Sequence, residues 1–326
     1  MDEQIRDVGF HLDAYNTEIC GKNVAADQNF LVFSTRRHRL YAGHEHVGGL
    51  ADRLKGALSC FYLSMITGRR FVLDWQTPCS IHRALNVHSY DWSLQNALPF
   101  ILQKNSITHL DLIDRSEILD TMDWQDLETS LFKEAPVVVL NINSLRFAAI
   151  QKKLKSDGVQ SDGYDLARLA YNFLFYPIAM SEFDKSREKF AKLRSECDRV
   201  VGVHLRTGGG NGWIDPAMDD WQRYAYLLER AHTHAIQNGA ERPGFYFVSD
   251  SAAARQAVLS GSYPFPVMVD DEKVSHLDRT TAQEERTSLL AFHEFHQLGQ
   301  CDLIIGGKGG FALTSAMVSG KPFVSM

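Results

Sequence analysis

The sequence predicts an α/β chain of two domains, each a parallel sheet wrapped by helices, with a cleft between them. Three observations carry this. Between residues 30 and 75 a short apolar run, a stretch of helical period and a second apolar run follow one another, which makes a βαβ unit. The same alternation returns from residue 199 onwards. Finally, 326 residues, 44% apolar and 23% charged, suffice for two domains of ordinary size and exclude a disordered or fibrous chain.

Taken in order, residues 1–28 show no clear period and read as an extension or cap. Phe30–Ser34 (FLVFS) is a short aromatic-rich strand. Leu50, Leu54, Leu58, Phe61 and Met65 recur at spacings of three and four, so they share one face of a helix. Gly68 ends that helix, and Arg69 and Arg70 follow where the macrodipole favours cations. Phe71–Trp75 is the next strand, residues 77–105 carry mixed signals, and further strands are expected at His109–Ile113 and Val137–Asn141. Residues 144–198 read mainly as helix and loop, including the charged stretch Met180–Glu196, and close the first domain (29–198). The second domain (199–326) opens with the strand Arg199–Leu205 and a helix over about 221–238. Strand Gly244–Ser249, a helix from Ala252, strand Val267–Val269 and a long helix over about 283–298 come next. Strand Asp302–Ile305 and a helix from about Leu313 complete the series, and no internal repeat is present.

Charge and composition exclude several classes. The net charge is -6 and the pI about 6.1, which argues against a protein that binds nucleic acid by global charge. No window approaches the roughly 20 apolar residues of a membrane span. The first residues are polar and acidic, with no apolar signal core. Cys20, Cys60, Cys79, Cys197 and Cys301 are odd in number and dispersed, which suits reduced thiols in the cytoplasm. No metal site is expected: His44 and His46 lack a third ligand at a recognisable spacing, and His293 and His296 flank Glu294 at i and i+3, not as HExxH. A GxSxG elbow is absent, and no GxGxxG follows the first strand, which disfavours an α/β-hydrolase and a nicotinamide oxidoreductase.

Four segments can carry chemistry. In VGVHLRTGGGNGWIDP, a buried strand ends at Arg206, preceded by His204 and followed by Gly208, Gly209, Gly210 and Gly212. A guanidinium at a strand's carboxyl end can grip phosphate through two parallel hydrogen bonds, and glycines let backbone amides approach an anion. The competing reading is a solvated arginine before a flexible turn. Gly306–Phe311 (GGKGGF) lies between a strand and a helix, so Gly309 and Gly310 can present N–H groups to phosphate beside Lys308, or merely form a tight turn. In VSDS, Ser249, Asp250 and Ser251 lead from strand to helix, where Asp250 or Ser251 is an N-cap, or the carboxylate is a hydrogen-bond acceptor for a ribose or a purine base. VGGLADRLKG places Gly48 and Gly49 at the start of the first helix, with Asp52 and Arg53 in its first turns, and the competing reading there is capping and surface charge.

Together these segments resemble the fucosyltransferase superfamily that includes bacterial nodulation α-1,6-fucosyltransferases and the core and protein O-fucosyltransferases. VGVHLRTG resembles that family's HxR element, GGLADRL followed by GRRFVLDW its N-terminal glycine turn, and FYFVSDS its strand-to-Asp segment. The stretch from His276, HLDRTTAQEERTSLLAFHEFHQLGQCDLIIGGKGGFALTSAM, resembles its last block. The resemblance implies a GT-B-like enzyme of two Rossmann-type domains that takes a nucleotide-sugar donor, GDP-fucose, and a carbohydrate acceptor, without cofactor or metal. It places the donor on the second domain, with Arg206 on the diphosphate, His204 beside it and Asp250 on the nucleoside. Gly208, Gly209, Ser249, Ser251, Lys308, Gly309, Gly310 and Phe311 would complete the donor site. Gly48, Gly49, Asp52, Arg53 and His276 would face the cleft or the acceptor. Transfer with inversion needs a base, and Asp215 and Asp219, both downstream of HxR, are the candidates. This chain has Gly309 and Gly310 where related enzymes carry Ser or Thr near the diphosphate. Two alternatives stand beside the leading reading: a non-catalytic binder of nucleotide-sugar or glycan, and a glycosyltransferase that uses another nucleotide-sugar.

Overall fold

The computed structural model describes residues 27–36, 48–113, 115–207, 226–272, 285–307 and 309–326. It falls into two compact units, residues 1–178 and 179–326.

The first unit is built on a parallel sheet in the order β2-β1-β5-β4, from strands β1 (Phe30–Ser34), β2 (Arg70–Asp74), β4 (Ile107–Asp111) and β5 (Val137–Asn141). The central strands read as unbroken apolar runs because helices cover both faces. Helix α1 (Leu50–Ile66) buries Leu54, Leu58 and Phe61 completely. Its Gly56 is required by contact, since a Cβ there would lie 2.0 Å from the Ile142 carbonyl oxygen. On the opposite face helix α2 (Leu94–Ile101) packs Ala97 and Ile101 on Phe30, Val32, Val72 and Val137. Residues 77–105, which carry mixed signals, hold α2 and a three-residue strand β3 (Leu85–Val87), which pairs antiparallel with β6 (Phe175–Pro177). Helices α3 (Ala148–Ser156) and α4 (Gly163–Leu174) complete the unit, and Tyr62 on α1 donates its hydroxyl to the Leu166 carbonyl at 2.7 Å. Arg69 departs from its sequence reading. It is 1% exposed, its guanidinium forks onto Glu128 at 2.5–3.0 Å and also donates to the carbonyls of Phe30 and Ala135. A buried guanidinium paired with the half-buried Glu128, not a solvated helix-end cation, is its role here.

In the second unit the sheet is again parallel, in the order β11-β10-β7-β8-β9, from β7 (Arg199–Leu205), β8 (Pro243–Ser249), β9 (Val267–Val269), β10 (Leu303–Gly306) and β11 (Phe323–Ser325). Counted within the unit, this is the order 5-4-1-2-3 of a doubly wound α/β sheet. Alternate residues choose opposite faces. Val201, Val203, Phe245 and Phe247 pack under helices α6 (Tyr226–Gln237) and α7 (Ala252–Ser260). Val200, Tyr246 and Val248 face α5 (Asp184–Glu196), α8 (Glu285–Gln300) and α9 (Gly310–Ser319). Helix α5 thus packs with the second unit, through Phe190 and Leu193, although its sequence position suggests the end of the first domain. Gly202 admits α8 against the sheet, because a Cβ there would come within 2.7 Å of Leu298.

Candidate functional site

The strand order of the second unit creates one privileged position. Helix α6 follows β7 on one face of the sheet, whereas α9 follows β10 on the other, and β7 and β10 are neighbours. Chains leaving adjacent strands in opposite directions open a crevice at the carboxyl ends, which is where ligands bind in such sheets. The pairing of Gly306 with His204 brings the HLRT and GG-GGF segments side by side there. Gly309 caps α9 with φ 128° and ψ 154°, a conformation open to glycine, and no side chain caps that helix. A Cβ at Gly309 would lie 2.9 Å from Cδ of Arg206, so the arginine stem runs directly over this turn. The helix start and the guanidinium therefore present positive potential together.

His204 forms the wall beneath. It is 5% exposed and stacks on Phe311, with centroids 5.1 Å apart and planes 21° from parallel. Burial, helped by the charges of Arg206 and Arg255 and opposed by Asp250, holds its pKa down to about 4. The ring is thus neutral at pH 7 and adds no charge next to Arg206.

At the end of β8 the helix cap is Ser251 and not Asp250. Ser251 is the N-cap of α7, accepting from the Ala254 amide at 3.2 Å, while Ser249 Oγ accepts from the Ser251 amide at 3.1 Å. Asp250 instead reaches across to the exit of β7, where Oδ1 accepts from the Thr207 amide at 2.9 Å and from its hydroxyl at 3.3 Å. Asp250 is half-buried and belongs to the same edge as Arg206. Of the sequence-predicted donor-side residues, His204, Arg206, Ser249, Asp250, Ser251, Gly309, Gly310 and Phe311 are brought together here. Gly208, Gly209, Asp215, Asp219, His276 and Lys308 lie outside the described residues.

Two residues of this edge escape the sequence reading. Arg255 on α7 and Glu294 on α8 are each 3% exposed and pair through two hydrogen bonds of 2.5 and 2.8 Å. The available signal was the placement of Glu294 four residues from both Leu290 and Leu298, on the apolar stripe of α8.

The predicted residues of the first unit form a separate group. Gly48, at φ 97°, and Gly49 precede α1, and Asp52 pairs with Lys55 at 2.7 Å. Arg53 is not surface charge: it is 2% exposed, donates to the carbonyls of Gly48 at 2.8 Å and Thr77 at 2.5 Å, and lies over the Trp75 ring. It therefore fastens the glycine turn from within. A cavity of about 430 Å³ on the α2 face of this sheet, lined by Val32, Ile101, His109 and Val137 among others, touches none of the four. Among the described residues no three His, Cys, Asp or Glu side chains cluster as a metal site, Cys60, Cys197 and Cys301 are free thiols, and no helix is long and apolar enough to cross a membrane.

No family model matches the sequence, and no curated protein matches it. Solved structures share its fold. FUT1 of Arabidopsis thaliana, an arginine-to-lysine mutant in complex with GDP, matches with a TM-score of 0.56 at 11% identity, over 99% of this chain and 77% of its own. NodZ α-1,6-fucosyltransferase soaked with GDP-fucose matches at 0.53 and 15% identity, over 89% and 92%. POFUT1 in complex with GDP-fucose matches at 0.52 and 10%, over 94% and 99%. The chain has the α/β, GT-B-like fold of these fucosyltransferases, as the resemblance of its motifs implies.

Proposed function

We propose that this protein is a glycosyltransferase that moves a sugar, fucose in the leading reading, from a GDP-linked donor to a carbohydrate hydroxyl. The observation that carries the proposal is the meeting of Arg206, the glycine-capped start of α9 and Asp250 at the β7–β10 crevice. The fold it shares with proteins solved with GDP and GDP-fucose supports the same reading. In the proposed reaction the glycosidic C–O bond to the diphosphate breaks as the acceptor oxygen attacks the opposite face of the sugar. Negative charge then grows on the departing GDP. Arg206 neutralises it with a planar fork, and the α9 amides add a preorganised dipole that costs no rearrangement. No metal is required in this scheme. A base takes the acceptor proton, with Asp215 and Asp219 as the candidates. The second unit is the donor side, the first carries the acceptor, and the cysteine usage favours a cytoplasmic setting.

A thermal-shift panel of GDP, UDP, CMP and NAD tests the donor class. The right nucleotide should stabilise by about 2.7 kcal/mol at one hundred times its Kd. Stabilisation by UDP, CMP or NAD in place of GDP would overturn the GDP assignment. GDP release from GDP-fucose with a panel of glycan acceptors then separates an enzyme from a protein that only binds.

A further inference from the structure

Behind the crevice lies a buried polar assembly centred on Arg255. Its Nε donates to the Ser249 carbonyl at 2.7 Å, and Nη1 to the Asp270 carbonyl at 3.2 Å. The other face of the guanidinium forks onto Glu294, with Nη1 to Oε1 at 2.5 Å and Nη2 to Oε2 at 2.8 Å. Ser249 is the last residue of β8 and Asp270 follows β9 directly, so one side chain ties both strand ends to α8. Tyr246 adds a further tie by donating its hydroxyl to Asp270 Oδ2 at 2.7 Å. From Ser249 the chain passes to Asp250, whose carboxylate holds the Thr207 amide next to Arg206.

A buried ion pair is a poor stabiliser, since desolvating two charges offsets most of their attraction and an apolar pair of equal volume often does as well. What a charged fork supplies that apolar packing does not is direction, because four hydrogen bonds fix where two backbone carbonyls stand. We infer that Arg255, held by Glu294, is a positioning residue: through Ser249 and Asp250 it sets the exit of β7, and with it the donor grip of Arg206. This inference rests on the proposed GDP-donor reading of the crevice.

Arg255→Lys keeps the buried charge opposite Glu294 but cannot serve two carbonyls and two carboxylate oxygens at once. In the full chain it should weaken GDP binding at least tenfold by calorimetry and speed hydrogen exchange at the Thr207 amide, with a cooperative melt retained. In an Asp250→Ala background, where the link to Thr207 is already cut, the same substitution should add little to the GDP penalty. Glu294→Gln, which keeps volume and an acceptor oxygen, gives the same comparison should the lysine variant fail to fold. A folded variant with a lowered melting point but unchanged GDP affinity and Thr207 exchange would make the pair structural and overturn the inference. So would a full, additive penalty in the Asp250→Ala background. If the wild type does not bind GDP, the donor reading fails on its own, and Thr207 exchange still decides whether Arg255 governs this loop.

Discussion

The glycine at position 309 offers the sharpest test of the crevice, because one added methyl group strikes both the backbone and the arginine. Gly309→Ala places a Cβ 2.9 Å from Cδ of Arg206. Carbon atoms in contact prefer about 3.5–4.0 Å, so the arginine stem must retreat by roughly 0.6–1 Å. An N–H···O bond spans only about 2.7–3.2 Å, and a displacement of that size takes a guanidinium fork out of register with a phosphate. Losing a charge-assisted hydrogen bond costs about 1.5–3 kcal/mol, which is roughly ten- to a hundredfold in GDP affinity. Separately, alanine at φ 128° and ψ 154° enters a region that is nearly glycine-only, at a cost of about 1–3 kcal/mol. At about 2–4 °C per kcal/mol, the melting point falls by a few degrees to roughly 12 °C. Gly320→Ala is the control: its φ of 65° strains an alanine at the other end of α9, where it should lower the melting point and leave GDP binding alone. A double-mutant cycle with Arg206→Ala isolates the coupling, since Gly309→Ala should cost no further affinity once the arginine is gone. A folded Gly309→Ala protein with wild-type GDP affinity would refute the placement of diphosphate under Arg206.

Four further outcomes follow from the same geometry. Arg206→Lys should lose roughly ten- to a hundredfold in GDP affinity by calorimetry, because a point charge cannot replace the fork, and an undiminished Kd would remove Arg206 from the diphosphate. Asp250→Asn keeps an acceptor for the Thr207 amide but presents NH2 where a carboxylate would receive guanine N1–H and N2–H; GDP should lose its advantage over ADP and UDP in competition binding, and an unchanged preference would sink the nucleoside role. His204, held near pKa 4 by burial, refuses a proton that the unfolded chain accepts below about 6.5. Stability present above pH 6.5 is therefore lost as pH falls towards 4, by roughly 3 kcal/mol, and urea melts of wild type and His204→Asn should converge in that window, a constant gap contradicting the assignment. Sugar transfer should survive excess EDTA, whereas loss that Mg²⁺ or Mn²⁺ restores would mean that a metal neutralises the diphosphate.

How far the sequence reaches depends on which kind of interaction sets each feature. Strands Val137–Asn141 and Val267–Val269 and the start of α7 at Ala252 are readable because apolar runs and cap residues are local signals. The β3–β6 pair is not: each strand has three residues, the register joins Leu85 to Pro177, and so short a pair has no periodicity to report. Helix α2 is obscured by Pro99 within it. The arginines fail for a different reason. Arg53, Arg69 and Arg255 each stand in charged or mixed helical and strand contexts that look solvated, and their burial becomes intelligible only with partners far along the chain, Glu128 lying 59 residues from Arg69 and Glu294 39 from Arg255. The candidate site was legible where its parts were glycines and strand ends, since those are backbone demands. The supporting ion pair, a matter of tertiary contact, was not.

The two parallel sheets also explain why the donor is assigned to one of them. At the carboxyl edge of the first, the polar groups satisfy one another. Ser34 Oγ donates to the Asp74 carboxylate at 2.9 Å, the Thr35 amide to the Asp74 carbonyl at 3.0 Å, and Asn141 Nδ2 to the carbonyls of Ser34 at 2.6 Å and Arg36 at 3.1 Å. An arriving diphosphate would meet a carboxylate and would have to break this cross-linking to reach a backbone donor. At the edge of the second sheet the exit of β10 carries glycines, the start of α9 has no side-chain cap, and the stem of Arg206 lies against Gly309. A helix start whose amides meet no side-chain cap, next to a permanent positive charge, suits a polyanion, while Asp250 on the same edge is engaged with Thr207. Both sheets are parallel and both edges carry a carboxylate tied to a neighbouring strand exit, but only the second adds a glycine-capped helix start with an arginine stem against it. The first edge is closed on itself by hydrogen bonds, and in the proposed reading the uncapped start of α9 at the second is what an anion completes.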